Sequence, residues 1–184
     1  DLMKVIARSD EAGNELSSTF LGMSVPCVLQ FMSTSNDNAG LCSGAACLSA
    51  IIYSAKTSLR NVSIPSLPNP NNTSNNNNTT SIDAILFVVS RLLSPGFPEM
   101  GSACVGTLVT QIITCLSDTL NSNIVKQLCH AMIMKLESCR FGDLKMNIIL
   151  FFARLIHKDI HSIMSILMPM QIQCQDGQTE SAFV

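Results

Sequence analysis

The sequence predicts an all-α protein built from stacked pairs of helices. Apolar residues recur at steps of three and four over most of the 184 residues, which is the spacing of one buried helical face. Short polar segments that contain proline or glycine separate these stretches, and the apolar pattern of one long segment returns about forty residues later. These observations together indicate repeated helical units rather than one irregular helical domain.

The repeat joins residues 81–117 to residues 121–157. The matching apolar pairs are Ile85 with Val125, Val88 with Leu128, Leu92 with Met132, Leu108 with Ile148, Ile112 with Phe152, and Leu116 with Ile156. A period near forty made of two helical patterns is typical of HEAT and armadillo repeats. Each unit of such a solenoid buries its apolar face only against its neighbours, so we expect function on a long binding surface and no enzymatic activity.

Three to four helix pairs are expected, all within one solenoid that spans residues 1–184. The first pair is predicted at 15–32 and 37–59, with a kink at Pro26 because proline removes a backbone donor and crowds the preceding turn. In the second pair, Thr80 or Ser81 is expected to cap a helix that stops at Ser94 and Pro95, and Pro98 is expected to start its partner.

The third pair is predicted to start at 121–123 and to turn at 141–143. A last helix is expected over 159–168, ending before Pro169, and residues 179–184 are expected to open the helix that pairs with it. The chain is interpreted as a piece of a longer protein, because both of its ends fall within apparent helices.

Residues 61–80 contain eight asparagines, three prolines and no charged residue. A segment of this composition has little apolar area to offset the entropy of ordering it. We therefore predict a disordered loop inserted between the first and second pairs.

Composition disfavours several classes of function. The net charge of −2 offers no clustered basic surface for direct binding to nucleic acid. The richest apolar stretch, residues 148–153, is far shorter than the roughly 18 residues of a membrane span. Neither a nucleic-acid partner nor a membrane is expected.

No catalytic, cofactor or metal site is predicted. The eight cysteines are scattered without paired CxxC spacing and are interpreted as reduced core thiols. Cys129 and Cys139 could serve a thiol hydrolase, but His130 follows Cys129 directly and should point away from it. His157 and His161 are four apart, yet Lys158 and Asp159 between them resemble a helix end and a new cap, which favours two surface histidines over a metal pair.

Several stretches resemble the karyopherin-β (importin-β) family of nuclear transport receptors, which are HEAT-repeat proteins. They are residues 132–136 and 149–157, with Phe152, Ala153, Leu155 and His157 at a helix end, together with residues 88–95, 105–109 and 180–184. The resemblance covers nearly the whole chain except 61–80, and corresponds to repeats in the C-terminal half of such a receptor.

The resemblance implies import of basic cargo such as core histones and ribosomal proteins, a response to GTP-bound Ran, a histone chaperone role, and location in cytoplasm and nucleus.

The second helices offer few acids for a basic cargo; their polar residues are Thr110, Gln111, Thr114, Lys145, Asn147 and Arg154. The nearby acids are Glu99, Asp118, Glu137, Asp143 and Asp159. This sparse pattern favours a curved spacer over a direct cargo contact. A HEAT scaffold of a cytosolic complex, with no transport role, is the alternative.

Overall fold

A computed structural model describes residues 14–65, 78–116, 118, 120–168, 171–173 and 179–181 of the chain. Its helices, in chain order, are α1 (Asn14–Thr34), α2 (Asn38–Ala55), α3 (Ser81–Leu93), α4 (Val105–Cys115), α5 (Ser122–Ser138), α6 (Gly142–Lys158) and α7 (Ile160–Leu167). Two short 3-10 helices, Lys56–Asn61 and Met100–Ser102, lie between them. The predicted all-α helical-repeat fold is confirmed.

The helices form two layers. The first helix of each pair packs against the first helix of the next, in the order α1, α3 and α5, and the second helices stack in the same way as α2, α4 and α6. Within each pair the two helices also contact one another, and α7 packs on α6 and α5. One continuous apolar core runs between the layers.

The first pair has nearly the predicted boundaries. Asp37 caps α2, because its carboxylate accepts the Gly40 N–H at 2.9 Å. The α-helix ends at Ala55 rather than continuing to residue 59, because Lys56 adopts φ 42° and ψ −118° and turns the chain into the 3-10 helix. Pro26 lies inside α1, which is one unbroken helix in the structure.

Helix α2 is long and apolar enough for a membrane span by length and composition alone, with 18 residues and a mean hydropathy of 1.3. The expectation that no segment could span a membrane rested on residues 148–153 and did not take α2 into account. In the structure α2 packs against α1, α4 and the 3-10 helix Met100–Ser102. One face of α2, with Leu41, Leu48 and Ile52, is fully buried in the core, while a third of the helix is buried overall.

The predicted disordered loop 61–80 is too broad at both of its ends. Asn61 ends the 3-10 helix, and strand β1 (Ser63–Pro65) pairs antiparallel with β2 (Asn78–Thr80). Val62 and Ile64 are buried, so these two side chains supply the apolar contact that orders the start of the segment. Residues 66–77, the centre of the predicted loop, lie outside the described residues.

The second pair confirms the predicted cap and corrects the predicted start of its second helix. The Thr80 hydroxyl accepts the Asp83 N–H at 3.2 Å at the start of α3, and α3 ends at Leu93, before Ser94 and Pro95. The partner does not begin at Pro98, because the chain first makes the 3-10 turn and α4 starts only at Val105. Ser102 is buried in that turn and donates its hydroxyl to the Leu92 carbonyl at 2.6 Å.

The third pair and α7 follow the prediction closely. Asn121 caps α5 by accepting the Asn123 N–H at 2.9 Å, and Asp159 separates α6 from α7. The predicted helix over 179–184 is wrong where the structure describes it. Strand β4 (Thr179–Ser181) pairs with β3 (Gln171–Gln173), whose central Ile172 is β-branched and suits a strand better than a helix.

The forty-residue repeat is a repeat of buried positions. All six apolar residues of its first copy are at most 1% exposed. In the second copy Leu128, Met132 and Ile148 are buried, whereas Val125, Phe152 and Ile156 are only partly buried against the same core. The partly buried members lie in the pair with fewer neighbouring helices.

Candidate binding surface

Polar side chains join each helix pair to the next. Arg91, near the end of α3, donates to the carbonyls of Met32 and Ser35 at the end of α1, at 2.5 and 2.8 Å, and to the side-chain oxygen of Asn36 at 2.9 Å. Its guanidinium also lies 4.7 Å from the centre of the Phe97 ring. A cation is favourable at a helix C-terminus, so Arg91 stabilises the end of α1 from the neighbouring pair.

Lys135 has the same role one pair further along. It lies near the end of α5, is 3% exposed, and donates to the carbonyls of Ser94 and Phe97 at 3.1 and 3.3 Å, just beyond α3. Burial lowers the pKa of its ammonium group, and the nearby charge of Glu99 opposes that effect. Each basic side chain therefore donates hydrogen bonds to backbone carbonyls at the C-terminal end of the preceding first-layer helix.

Glu99 makes a second connection between the same two pairs. Its carboxylate accepts the Arg140 N–H at 2.9 and 3.1 Å and the Phe141 N–H at 2.6 Å, immediately before α6. The hydrogen bond from Phe141 is the largest cause that holds the pKa of Glu99 below its usual value, with Lys135 and Arg140 adding to it and desolvation opposing it. Glu99, one of the few acids that the sequence places near the second helices, is thus tied into the fold.

Asn147 of α6 caps the first turn of α4. Its side-chain oxygen accepts the Thr107 N–H at 2.9 Å, and its amide nitrogen lies 3.3 Å from the Thr107 hydroxyl oxygen, to which it donates. Cys104, the residue that precedes α4, makes no side-chain cap of its own. Gly106 permits this approach, since a Cβ there would lie 2.7 Å from the Asn147 side-chain oxygen and would also meet its carbonyl oxygen.

These connections change the interpretation of the polar second-helix residues. Thr110 is buried and donates to the Gly106 carbonyl at 2.7 Å, and Thr114 donates to the Thr110 carbonyl at 2.8 Å. Gln111 is partly buried and accepts from the Cys115 thiol at 3.4 Å. Together with Asn147, four of the six predicted surface residues therefore make contacts within the fold, while Lys145 and Arg154 are exposed.

The remaining acids lie on different elements of the fold. Glu137 is exposed near the end of α5, Asp143 is exposed in the first turn of α6, and Asp159 is exposed between α6 and α7. Asp118 is exposed in the link between α4 and α5. The surface therefore carries few exposed acids, as the sequence indicated, because Glu99 is engaged in hydrogen bonds within the fold.

The structure separates the residues considered for catalysis. Cys129 is fully buried, and burial raises the pKa of its thiol to about 11, whereas the adjacent His130 is exposed. Cys139 is also buried, and desolvation is the largest cause that raises its pKa. A nucleophilic cysteine needs thiolate character and access, and neither thiol has this combination.

The two histidines considered as a metal pair lie on different helices. His157 is in the last turn of α6 and His161 in the first turn of α7, and both are exposed. Among the residues that the structure describes, no group of three or more His, Cys, Asp or Glu side chains could hold a metal ion.

A shallow hollow lies between α3 and α5 on the first-helix layer. Its volume is about 250 Å³, and it is lined by Leu86, Ser90, Leu93, Ser94, Ile124, Gln127, Leu128 and Ala131. These side chains are apolar or neutral, so the hollow offers shape and apolar contact but no group for acid, base or nucleophilic chemistry.

Sequence reasoning missed the connecting roles of Arg91, Lys135 and Glu99. The available signal was a basic residue near the end of α3 and of α5, the first helices of the two copies of the repeat. This repeated basic residue could have been recognised once the two copies were aligned. The backbone carbonyls that it binds could not have been predicted from the sequence.

The residues quoted for the resemblance are similar to those of one karyopherin in particular, Importin-9. No protein-family profile matches the chain. The chain is 28% identical to Importin-9 of Drosophila melanogaster over 169 residues, which is 91% of this chain and 15% of that protein. The chain thus spans about 15% of the length of the curated relative it matches, and the similarity is consistent with a karyopherin-like relationship.

Proposed function

We propose that this chain is a segment of a nuclear import receptor resembling Importin-9. The observation that carries the proposal is the similarity to Importin-9 along 91% of the chain. The fold of two stacked helical layers agrees with it. The receptor binds basic cargo such as core histones and ribosomal proteins, responds to GTP-bound Ran, acts as a histone chaperone, and moves between cytoplasm and nucleus. It catalyses no reaction and needs no cofactor.

Within that receptor, this segment is a spacer that sets the geometry between binding repeats. Polar residues of its second helices are largely used for contacts within the stack, as Thr110 and Asn147 illustrate. Its exposed acids, such as Glu137 and Asp143, are separated along the chain and do not make the dense acidic surface that would attract a basic protein. Cargo affinity then comes from other repeats.

The experiment is a binding assay between the full-length parent protein and a purified core histone dimer at moderate salt, with and without GTP-bound Ran. We expect histone binding that changes when Ran is added. Absence of histone binding by the folded parent would contradict the cargo proposal.

The spacer role has its own readout in the same assay. Replacing Glu137 and Asp143 with lysine in the parent should leave histone affinity within about threefold, because rim charges mainly alter association rates. A loss of tenfold or more would show that this segment contacts the cargo. Ser54→Ala, at an exposed position of α2, serves as the control for the effects of substitution itself.

A cytosolic scaffold without a transport role is the second candidate, favoured by the scarcity of acidic residues on this segment. The location of the tagged parent protein distinguishes the two candidates when nuclear export is blocked. A transport receptor accumulates in the nucleus under that block, whereas a cytosolic scaffold stays outside it.

A further inference from the structure

Two thiols meet where the second helix pair packs on the first. Cys42 lies in the second turn of α2, and Cys104 is the residue that precedes α4. The side chain of Cys104 hydrogen-bonds to that of Cys42. The Cys42 thiol in turn donates to the Met100 carbonyl at 3.3 Å, in the 3-10 turn that leads to Cys104. Both cysteines are partly exposed, so a small molecule in the solvent can reach the pair.

The backbones that carry the two thiols also approach each other closely. Helix α2 packs on the turn Met100–Ser102 and on α4. Gly101 permits this packing, since a Cβ there would lie 3.2 Å from the Cδ1 atom of Leu41, which precedes Cys42 in the chain. A disulfide joins residues whose Cα atoms are about 4.4–6.8 Å apart, with about 2.05 Å between the sulfurs. Two thiols that already hydrogen-bond across such an approach need only a small side-chain movement to form that bond.

Other cysteines of the described chain have different surroundings. Cys115 donates its thiol to the side-chain oxygen of Gln111 at 3.4 Å. Cys129 is fully buried among the apolar residues of the core. Cys42 and Cys104 differ from both, because each of them contacts a second thiol and is partly open to solvent.

We propose that Cys42 and Cys104 form a reversible disulfide when the protein meets hydrogen peroxide, and that this bond covalently joins the first helix pair to the second. Because it links α2 to the start of α4, the bond fixes the position of one second-layer helix on the next. Disulfides in the cytosol are usually transient or redox-sensing, and exchange with thiols in solution reverses them. This inference is independent of the proposed transport function.

Cys42 is the sulfur that reacts first. Burial is the largest cause that raises the pKa of Cys104 to about 11, and the neighbouring Cys42 adds to the effect. Cys104 therefore stays protonated at neutral pH, whereas attack on a peroxide requires a thiolate.

The reaction balances in two steps. The Cys42 thiolate attacks one peroxide oxygen, so that an S–O bond forms, the O–O bond breaks, and the departing hydroxide takes up a proton to become water. The Cys104 sulfur then attacks the Cys42 sulfur, so that the S–S bond forms, the S–O bond breaks, and a second hydroxide leaves as water with the Cys104 proton. The two thiols together lose two electrons, and one peroxide is reduced to two waters.

The test maps cysteine linkages in the full-length parent protein. The reduced protein is treated with a small excess of hydrogen peroxide, the remaining thiols are blocked, and tryptic peptides are analysed by mass spectrometry without reductant. We expect peptide 9–56 joined to peptide 92–126, with fragment ions that place the bond at Cys42 and Cys104, and release of the two peptides by dithiothreitol. Sulfinic acids without a linked pair, or linkage of either cysteine to a different one, would overturn the proposal.

Serine variants identify the two sulfurs independently of the fragment ions. Cys42→Ser and Cys104→Ser should each abolish the linked peptides. Cys47→Ser and Cys115→Ser, at other partly exposed cysteines of α2 and α4, should leave the linked peptides in place. Persistence of the link in Cys42→Ser or Cys104→Ser, or its loss in both control variants, would also overturn the proposal.

Hydrogen exchange tests whether the bond holds the two pairs together. The amides of Ser102 and Ala103 bond to the carbonyls of Glu99 and Met100 within the turn. Their exchange should slow about tenfold or more when the wild-type protein is oxidised, because the bond restrains opening of the turn away from α2. Peroxide should not slow it in Cys104→Ser. Equal exchange in the reduced and the disulfide-bonded wild type would contradict the joining of the two pairs.

Discussion

At the scale of single residues, the stack is connected by side chains that reach the backbone of the neighbouring pair. Arg91, Lys135 and Glu99 each hydrogen-bond to groups at a helix end, where backbone donors or acceptors lack partners within the helix. Because an ion supplies one side of each bond, each is expected to contribute more than a neutral hydrogen bond. They fix where one pair sits on the next.

Glu99 predicts a pH dependence of stability. Because its folded-state pKa lies below its usual value of 4.5, it contributes stability that is present above pH 4.5 and is lost as the pH falls through the lowered pKa. Glu99→Gln should therefore lower the urea midpoint at pH 7, and the difference from wild type should shrink at acidic pH. Glu137→Gln, at an exposed acid of α5, is the control. A deficit that stayed constant with pH would contradict this role.

Lys135 predicts a large effect at a position that looks like a surface lysine in the sequence. Lys135→Met keeps much of the volume but leaves the carbonyls of Ser94 and Phe97 without their donor. We expect a loss of about 2–3 kcal/mol in the free energy of unfolding, measured by urea denaturation. Lys126→Met, at an exposed lysine of the same helix, should change it by less than about 0.5 kcal/mol. Equal effects of the two substitutions would contradict the connecting role.

These residues also mark where sequence reasoning stopped. Local patterns were sufficient to predict that Thr80 caps α3, because a cap involves groups three residues apart. The partners of Arg91 lie 55 to 59 residues away, and their identity depends on how two helices are placed in space. Periodicity predicts which face of a helix is buried, but it does not predict which polar group crosses to the next pair.

At the scale of elements, each helix depends on its neighbours for its ends as well as for its buried face. Helix α4 has no side-chain cap from its own preceding residue and receives one from Asn147 of α6. This explains why its start was predicted several residues too early. Pro98 is a sound local start signal, whereas the turn at Met100–Ser102 is stabilised by buried contacts such as that of Ser102 with Leu92.

Gly106 offers a test of the close contact between α4 and α6. Gly106→Ala should destabilise the protein by about 1–3 kcal/mol, since the added methyl group would overlap the backbone of Asn147. Gly22→Ala in α1 is the matched control, because a Cβ there meets nothing within 4 Å. That control should be neutral or stabilising by about 0.5–1 kcal/mol, as alanine favours a helix over glycine. Thermal unfolding should show a lower melting temperature for Gly106→Ala and an unchanged or higher one for Gly22→Ala, and an equal loss in both variants would contradict the packing.

At the scale of the whole molecule, the forty-residue period of the sequence becomes the spacing of consecutive helix pairs within each layer. The second helices α2, α4 and α6 stack in order, and the residue pair Thr107 and Asn147, forty apart, is in direct contact. The fold class and most helices could be predicted because the repeated positions are core positions. Two predictions failed where the chain leaves the repeat, at 61–65 with 78–80 and at 179–181, because strand pairing there depends on partners distant from the helical pattern.

The central claim is that consecutive repeats hold one another in the register that the sequence period indicates. Hydrogen exchange of the Thr107 amide in the Asn147→Ala variant tests it most directly, because that N–H bonds to the side chain that the substitution removes. We predict that exchange at Thr107 accelerates about tenfold, corresponding to about 1.4 kcal/mol of lost protection, while amides in α1 are unchanged. If exchange changed only within α6 and the Thr107 amide remained protected, the two helices would not be joined as described.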